Sequence, residues 1–534
     1  MSLPFWIFVD VADSIIPKIG GIKMKKVFSL IMILIISITL AACSQTNSTS
    51  PTAAPTSQSA TSDGKLFPQT TELSLLTPLI DSWPIQDDWK VLGYIQDATN
   101  VKLKVVKQVG EIADVLPPML ASGTAPDLLE LSIGNALPAI TENALVNFKD
   151  YKDTMLDFFN WINDNKEITS PFLSPDGQMY MAPQTDIGEA NRQGWLYRKD
   201  IFNANNIKLP TNETEFYNVL KKLKKLYPDS TPFVFRNGLT SELTKIDMMA
   251  SQWNASSKYY LDRSTDTWKY GVIEDNFKEF VTFMHKLFME KLIPQDFLSI
   301  DANSWQERIS SSQGFVTFDY LTRIDGFNTA MRGSDPKFTL CYMDPWKGGA
   351  NGTNKLQFTA TNDSFLGVYS KSKNIDNAVK YINWLYTDEA EKLLSWGVEG
   401  DTYKVENGQN KFVGFKDITD LRAKTGLSTL GMYGRFDYQS HMSLFSPELL
   451  YAYQSSQKAD QTPLGSVSFT GAENDVIADV GMAIQKYQEE QIAKFITNER
   501  PLSQWNAFVS EIKALGVDQM LKLYNTAYAR QKKN

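Results

Sequence analysis

Val101-Lys-Leu-Lys-Val-Val106, read together with Met119-Leu-Ala-Ser-Gly-Thr-Ala-Pro-Asp127-Leu-Leu-Glu-Leu131, decides the fold. The first run alternates apolar and polar residues, the period-two pattern of a strand with one buried face. The second ends a helix: Gly123 suits a left-handed C-cap, Pro126 prevents continuation, and Asp127 to Leu131 follows as a strand. Upstream, Glu72 to Leu76 is a short strand, and Trp89, Leu92 and Ile95 stand at helical spacing. Strands alternating with helices predict an α/β chain with a mostly parallel sheet and right-handed crossovers.

The same grammar continues downstream. Ser174-Pro-Asp-Gly177 is turn chemistry, Gln178 to Ala182 leaves it extended, and Gln193 to Tyr197 begins a second α/β series. Asn212 with Glu215 three residues on resembles a capping box, and Phe216, Val219, Leu220, Leu223 and Leu226 form one stripe behind it. Thr231 to Phe235 reads as a strand, Lys258 to Tyr270 as a hairpin around Asp262-Arg-Ser-Thr265, and Phe277 to Phe288 as a helix ending near Pro294. Gly314 to Asp319, Phe338 to Met343 and Ser364 to Tyr369 are strand-like, and Ile375 to Leu385 is a striped helix. From Asp475 the pattern is helical to the end, with Trp505, Phe508, Val509, Ile512 and Leu515 on one face. A chain of 534 residues exceeds one hydrophobic core, so at least two lobes are expected.

In front of this body stands Met24-Lys-Lys26, an apolar run from Val27 to Leu40, and Leu40-Ala-Ala-Cys43. A positive start, a short greasy stretch and small residues before a cysteine make a secretory signal. The run is about 14 residues where a spanning helix needs roughly 20, so export is expected rather than a membrane span. Met1 to Lys23 carries Asp10 and Asp13 where a signal should be positive, and translation is expected to start at Met24. Ser44 to Gly64, rich in Ser, Thr, Pro and Gln, reads as a flexible tether.

Composition excludes several functions. The net charge of -8 stays acidic when the leader is set aside, which argues against nucleic acid and against adhesion to anionic lipid through a basic surface. Two cysteines, Cys43 and Cys341, and two histidines, His285 and His441, leave little material for a zinc site or a nucleophilic triad, and neither a metal nor a cofactor is expected. Cys341 lies in a strand-like run and reads as a small buried hydrophobe; His285 lies inside a helical pattern and reads as structural.

Leu40-Ala-Ala-Cys43 resembles the lipobox of bacterial lipoproteins, which would make Cys43 the acylated first residue of the mature chain; two acyl chains hold a domain durably. From Phe67 to Lys533 the chain resembles the extracellular solute-binding proteins of family 1, the long lipoproteins that serve carbohydrate ABC importers. The matching pieces are Met119 to Leu128, Leu196-Tyr-Arg-Lys-Asp-Ile-Phe202, Ser370-Lys-Ser-Lys-Asn374 before a helix carrying Ala378, Trp396-Gly-Val-Glu-Gly400 with Tyr403, and Arg500-Pro-Leu-Ser-Gln-Trp505 running on to Val509. The resemblance implies a two-lobed, type II periplasmic-binding-protein-like α/β fold with a hinge and C-terminal helices. Its divisions on this chain would be a start-site artefact at 1–23, a signal peptide at 24–42, a lipidated cysteine and tether at 43–66, lobe one at 67–186 plus 362–396, and lobe two at 187–361 plus 397–534. Crossings are expected near Met181 to Arg192 and Gln357 to Ser364.

The implied function is a membrane-anchored monomer outside the cell that captures a carbohydrate between its lobes and hands it to ABC permease subunits. A sugar needs flat aromatic surfaces for its C–H faces and planar hydrogen-bonding groups for its hydroxyls. Trp83, Trp195, Trp253, Trp346 and Trp396 are the candidate platforms, with Trp346 foremost because Pro345 before it and Gly348-Gly349 after it suggest a presenting loop. Asp127, Asp319 and Arg192 are polar candidates at strand ends and the first crossing, and Glu399, Asp401 and Tyr403 join them from the Trp396 segment. Two rival readings stand: a surface glycan sensor without transport, and a secreted glycosidase using paired carboxylates such as Asp87 with Asp88 or Glu399 with Asp401.

Overall fold

The computed structural model describes residues 64–78, 85–106, 110–169, 173–184, 192–236, 243–357, 364–429, 431–461 and 465–533. Fourteen strands occur among them. In chain order these are β1 (Thr71–Leu76), β2 (Val101–Val106), β3 (Leu128–Leu131), β4 (Ala182–Pro183), β5 (Gln193–Arg198), β6 (Tyr259–Asp262), β7 (Thr267–Tyr270), β8 (Val316–Tyr320), β9 (Leu340–Met343), β10 (Leu356–Gln357), β11 (Phe365–Val368), β12 (Tyr403–Glu406), β13 (Gln409–Phe412) and β14 (Asp460–Gln461).

The first sheet has the order β2-β1-β3-β11-β4. β1 lies parallel to β2, with Thr71 opposite Val101, and parallel to β3, with Leu75 opposite Leu128. The helix Ile112–Ser122 between β2 and β3 ends on Gly123 at φ 74°, the left-handed cap its sequence announces. β11 is antiparallel to both β3 and β4. The chain has by then left for the second body, and it returns into this sheet from the opposite end. The second sheet, β8-β5-β9, is antiparallel throughout, so the expected parallel pairing of strands is confined to β1 to β3 and the short β10-β14 pair among the described residues. Thr231 to Phe235 is not a strand but contributes one parallel bridge, Phe233 to Val316.

Each sheet anchors its own core. The first core gathers Leu73, Leu75, Val101, Leu128, Leu129, Phe365 and Val368 from the sheet with Ala378, Ile382, Leu394 and Trp396 from the helices Ile375–Trp384 and Asp388–Trp396. It continues through Tyr403, Phe412, Leu421, Leu427, Met432, Tyr433 and Phe436. The expected boundary at 396/397 therefore falls too early, because the apolar faces of the segment up to Phe436 find their complement in the first core. The second body is built on aromatic residues of β5 and β8 and the helices Glu213–Leu226 and Asp275–Met289, with Ile492, Phe495, Trp505 and Phe508 of the C-terminal helices packed against them. A smaller cluster on the other face of β5 takes Leu196, Trp305, Tyr342, Leu449 and Tyr453.

The two cores are linked by three chain passages: β4 to β5, β10 to β11, and a return between Phe436 in the first core and Leu449 in the second body. The helix Tyr438–Met442 sits in the third passage, and Ser446 beyond it donates its backbone N–H to Asp325 of the second body over 3.0 Å. A further contact between the bodies comes from Ser468, whose hydroxyl donates to the Leu173 carbonyl over 2.6 Å. Among the described residues no helix is long and apolar enough to cross a membrane.

Candidate functional site

Strand direction decides which residues face the region where the passages run. Thr77 follows the end of β1 there, Glu130 lies one residue before the end of β3, β4 leaves at Gln184, and β11 arrives from Ser364. Asp127 precedes β3 and so stands at the opposite end. It accepts hydrogen bonds from the Ser74 amide (2.8 Å), Ser74 Oγ (2.6 Å), Ser372 Oγ (2.5 Å) and Asn374 Nδ2 (3.3 Å), which fasten β1 and the start of the helix Ile375–Trp384. Partial burial would raise its pKa, but these donors outweigh burial and hold the carboxyl below its ordinary value. Asp127 is a structural clasp rather than a rim residue.

The group at the right end is Glu130, fully buried. Thr77 Oγ1 donates to its Oε2 (2.5 Å) and Ser364 Oγ to its Oε1 (2.7 Å). Gln184 Nε2 donates to Ser364 Oγ (2.8 Å), and the Gly431 amide donates to Gln184 Oε1 (2.7 Å). Burial pushes the Glu130 carboxyl above the usual carboxylate range despite these donors. Gly431, at φ 82°, is required: an added Cβ would lie 2.6 Å from Glu130 Oε2.

The second sheet turns a charged set toward the same region. Arg192 precedes β5, is buried, and forms a two-pronged pair with Asp460 of β14, with Nη2 to Oδ2 at 2.8 Å. Asp319 on β8, opposite Gly194, is fully buried and receives Arg236 Nε (2.8 Å) and Arg323 Nε (3.1 Å). Both guanidinium groups also stand over the rings of Trp305 and Tyr320, at 5.6 to 5.8 Å. Near this edge Gln193 Oε1, Tyr342 Oη and Gln461 Oε1 are buried without a hydrogen-bond partner among the described residues. Unmet buried polar atoms are costly to a fold, and a hydroxyl-bearing ligand would supply their missing partners.

Of the remaining candidates, Trp195, Trp253 and Trp346 do come together, but as the centre of the second core. Trp346 is 1% exposed and stacks on Phe216 at 4.5 Å and 19°. Trp195 donates to Gln252 Oε1 (2.6 Å) and Trp253 to Glu213 Oε2 (3.1 Å). The glycines after Trp346 do not signal a presenting loop: a Cβ on Gly348 would lie 2.5 Å from the Trp253 ring, so the backbone lies directly against that ring. Trp396 and Tyr403 are buried in the first core, with Trp396 Nε1 donating to Asp437 Oδ2 (2.6 Å). Glu399 is exposed on the turn before Tyr403, and Asp401, also exposed, accepts from Lys90 and Tyr94. Hence only Arg192 and Asp319 of the described candidates reach the inter-body edge; Trp83 and Cys43 lie outside the described residues. Thr77, Glu130, Gln184, Arg236, Asp460 and Gln461 are additions. Glu130 had a sequence signal, as a lone charge within the apolar run of β3.

His285 is structural, its Nδ1 3.0 Å from the Phe495 carbonyl. Burial raises the pKa of the Cys341 thiol. No group of three His, Cys, Asp or Glu able to hold a metal ion occurs among the described residues. A groove of about 740 Å³ lined by Asn212, Lys278, His285, Lys286 and Lys347 lies on the second body and includes none of the strand-end residues.

Two α/β bodies with separate cores, linked by three chain passages, define a type II solute-binding fold. Residues 85–392 match the family described as bacterial extracellular solute-binding protein, and the chain belongs to that family. It is 21% identical over 482 residues to the fructooligosaccharide ABC transporter substrate-binding protein FusA of Streptococcus pneumoniae, covering 83% of this chain and 87% of that one. It is 20% identical over 527 residues to the polygalacturonan/rhamnogalacturonan-binding protein YtcQ of Bacillus subtilis, covering 95% and 99%. Among solved structures, FusA in complex with kestose superposes with a TM-score of 0.67 at 16% identity, covering 87% of this chain and 100% of that chain. A solute-binding protein of Bifidobacterium longum infantis superposes at 0.69 and 16%, covering 86% and 98%.

Proposed function

We propose that this protein is the surface-anchored receptor of a carbohydrate ABC importer, holding an oligosaccharide between its two bodies and presenting it to permease subunits. What supports the reading is the set of polar groups at the strand ends that flank the passages, Thr77, Glu130 and Gln184 beside β1, β3 and β4 and Arg192, Asp319 and Asp460 beside β5, β8 and β14. Planar amide, guanidinium and carboxylate groups match a sugar's hydroxyls, and Gln193, Tyr342 and Gln461 supply hydrogen-bonding capacity not used within the described residues. FusA and YtcQ, named for oligosaccharide and polysaccharide ligands, support the ligand class. The family is extracellular, and acylation of Cys43 would tie the body to the membrane through the tether.

Isothermal calorimetry of the full chain in detergent against a panel of fructo-, galacturono- and gluco-oligosaccharides tests this. One class should bind and raise the melting temperature, with stabilisation following RT ln(1 + [L]/Kd), about 2.7 kcal/mol at a hundredfold excess. Absence of binding across the panel refutes the carbohydrate reading; release of shortened sugars from the panel would instead establish the glycosidase.

A further inference from the structure

Glu130 stands where the first two passages leave and re-enter the first sheet, at Gln184 and Ser364. Its carboxyl holds Ser364, the last described residue before β11 on the second passage. Ser364 in turn is held by Gln184, which leaves β4 on the first passage; the two backbones also meet, the Gln184 amide donating to the Ser364 carbonyl over 3.2 Å. Gln184 accepts from Gly431, five residues before Phe436, after which the third passage begins. Thr77, at the end of β1, completes the set from within the first sheet.

The hydrogen bonds run in one direction. Gly431 N–H donates to Gln184, Gln184 donates to Ser364, and Thr77, Ser364 and the Gln184 amide all donate to the carboxyl. Only an ionised carboxyl accepts at both oxygens without a proton of its own. When Glu130 is protonated, one oxygen donates, the hydroxyl facing it reverses from donor to acceptor, and that hydroxyl's own hydrogen loses its acceptor. A buried network with one member unsatisfied is weaker than its intact form by more than one ordinary bond.

We propose that Glu130 is the positioning residue of the inter-body joint, its carboxylate holding together the first-body ends of two passages, Gln184 and Ser364, and thereby fixing the angle at which the bodies meet around a ligand. This rests on the proposed function for its purpose, though not for its geometry. No titratable or charged side chain acts on Glu130 from β1, β4, β11 or the Gly431 segment among the described residues; its surroundings are hydroxyls and an amide. Burial without a compensating cation raises its titration range above that of an exposed glutamate, so the joint responds to pH in a higher window.

The test needs no ligand. Spin labels on exposed Lys104→Cys of β2 and exposed Lys522→Cys of the C-terminal helix, in the full chain carrying Cys43→Ser and Cys341→Ser, report the distance between bodies. Distance distributions are recorded from about pH 4 to 8, spanning the ordinary and raised carboxyl ranges. With Glu130 present the distribution should narrow as pH rises. Glu130→Gln, which like the protonated acid offers a single acceptor oxygen, should stay broad at every pH and lose the dependence. Ser364→Ala, which keeps the titrating group but frees the start of β11 from it, should broaden the distribution while retaining part of the pH response through Thr77 and Gln184, and serves alone should the glutamine variant not fold. A narrow, pH-responsive Glu130→Gln, or a Ser364→Ala matching its parent, overturns the proposal. Failure of every oligosaccharide to bind would sink the proposed function and leave these ligand-free distances to judge Glu130 independently.

Discussion

Replacing Trp346 by alanine should unfold part of the second body rather than weaken ligand capture. Its ring is 1% exposed and has four aromatic neighbours: Phe216 at 4.5 Å, Trp253 at 5.3 Å, Trp195 at 5.6 Å and Phe283 at 5.9 Å. Removing a large aromatic from such a core costs about 3–5 kcal/mol, and rigid rings around the cavity cannot relax far into it. The indole N–H has no hydrogen-bond partner among the described residues, and deleting it relieves a desolvation penalty of about 1–3 kcal/mol. Trp346→Phe should therefore keep most of the packing, shed the unmet donor and cost under about 1.5 kcal/mol. The two bodies have separate cores, so global unfolding is not a single transition; exchange of the β5 amides reads the second core directly. Wild-type protection of β5 in Trp346→Ala, accompanied by weakened oligosaccharide binding, would refute this and restore the ring as a sugar platform.

Asp319→Asn should leave Arg236 and Arg323 without their shared buried carboxylate, a loss of about 3–5 kcal/mol visible as a lower denaturation midpoint. His441 is buried, and burial together with the Arg422 charge lowers its pKa from 6.5 to about 3. A depressed folded-state pKa contributes stability that is complete above the unfolded value of 6.5 and is lost as pH falls toward 3, so melting temperature should drop across that window and drop less in His441→Phe. Cys43→Ser should shift the protein from the membrane to the soluble fraction without lowering its melting temperature, since the tether is expected to pack against nothing.

Local signals were legible wherever a short-range rule produces them. Gly123 caps its helix, Asn212 caps the helix Glu213–Leu226, and the hairpin around Asp262 to Thr265 forms as read. The stripe of that helix is buried at Phe216, Leu220 and Leu223 but exposed at Leu226, the terminal turn, where nothing covers it. The site was harder because its members are assembled by strand polarity, which period-two patterning does not contain: Asp127 and Glu130 sit in one short run yet fall at opposite ends of β3. Trp346 misled for a different reason. Glycine beside an aromatic fits either an open loop or a backbone pressed against another ring, and only the Trp253 contact at Gly348 separates the two.

β11 bears on how the polypeptide reaches this state at all. It lies between β3 and β4 in the first sheet, yet it is reached only after the chain has traversed most of the second body. A chain emerging from its N-terminus can pair β1 with β2 and β3 early, but β4 has no neighbour in that sheet until β11 arrives. The first core then waits again for Phe436, and the second for its C-terminal helices. Long-range pairing of this kind slows folding and leaves apolar surface open in the interim. Neither body corresponds to a contiguous stretch of the gene: a cut anywhere before Phe436 leaves the first incomplete, and during synthesis the second cannot finish before the last helices are made.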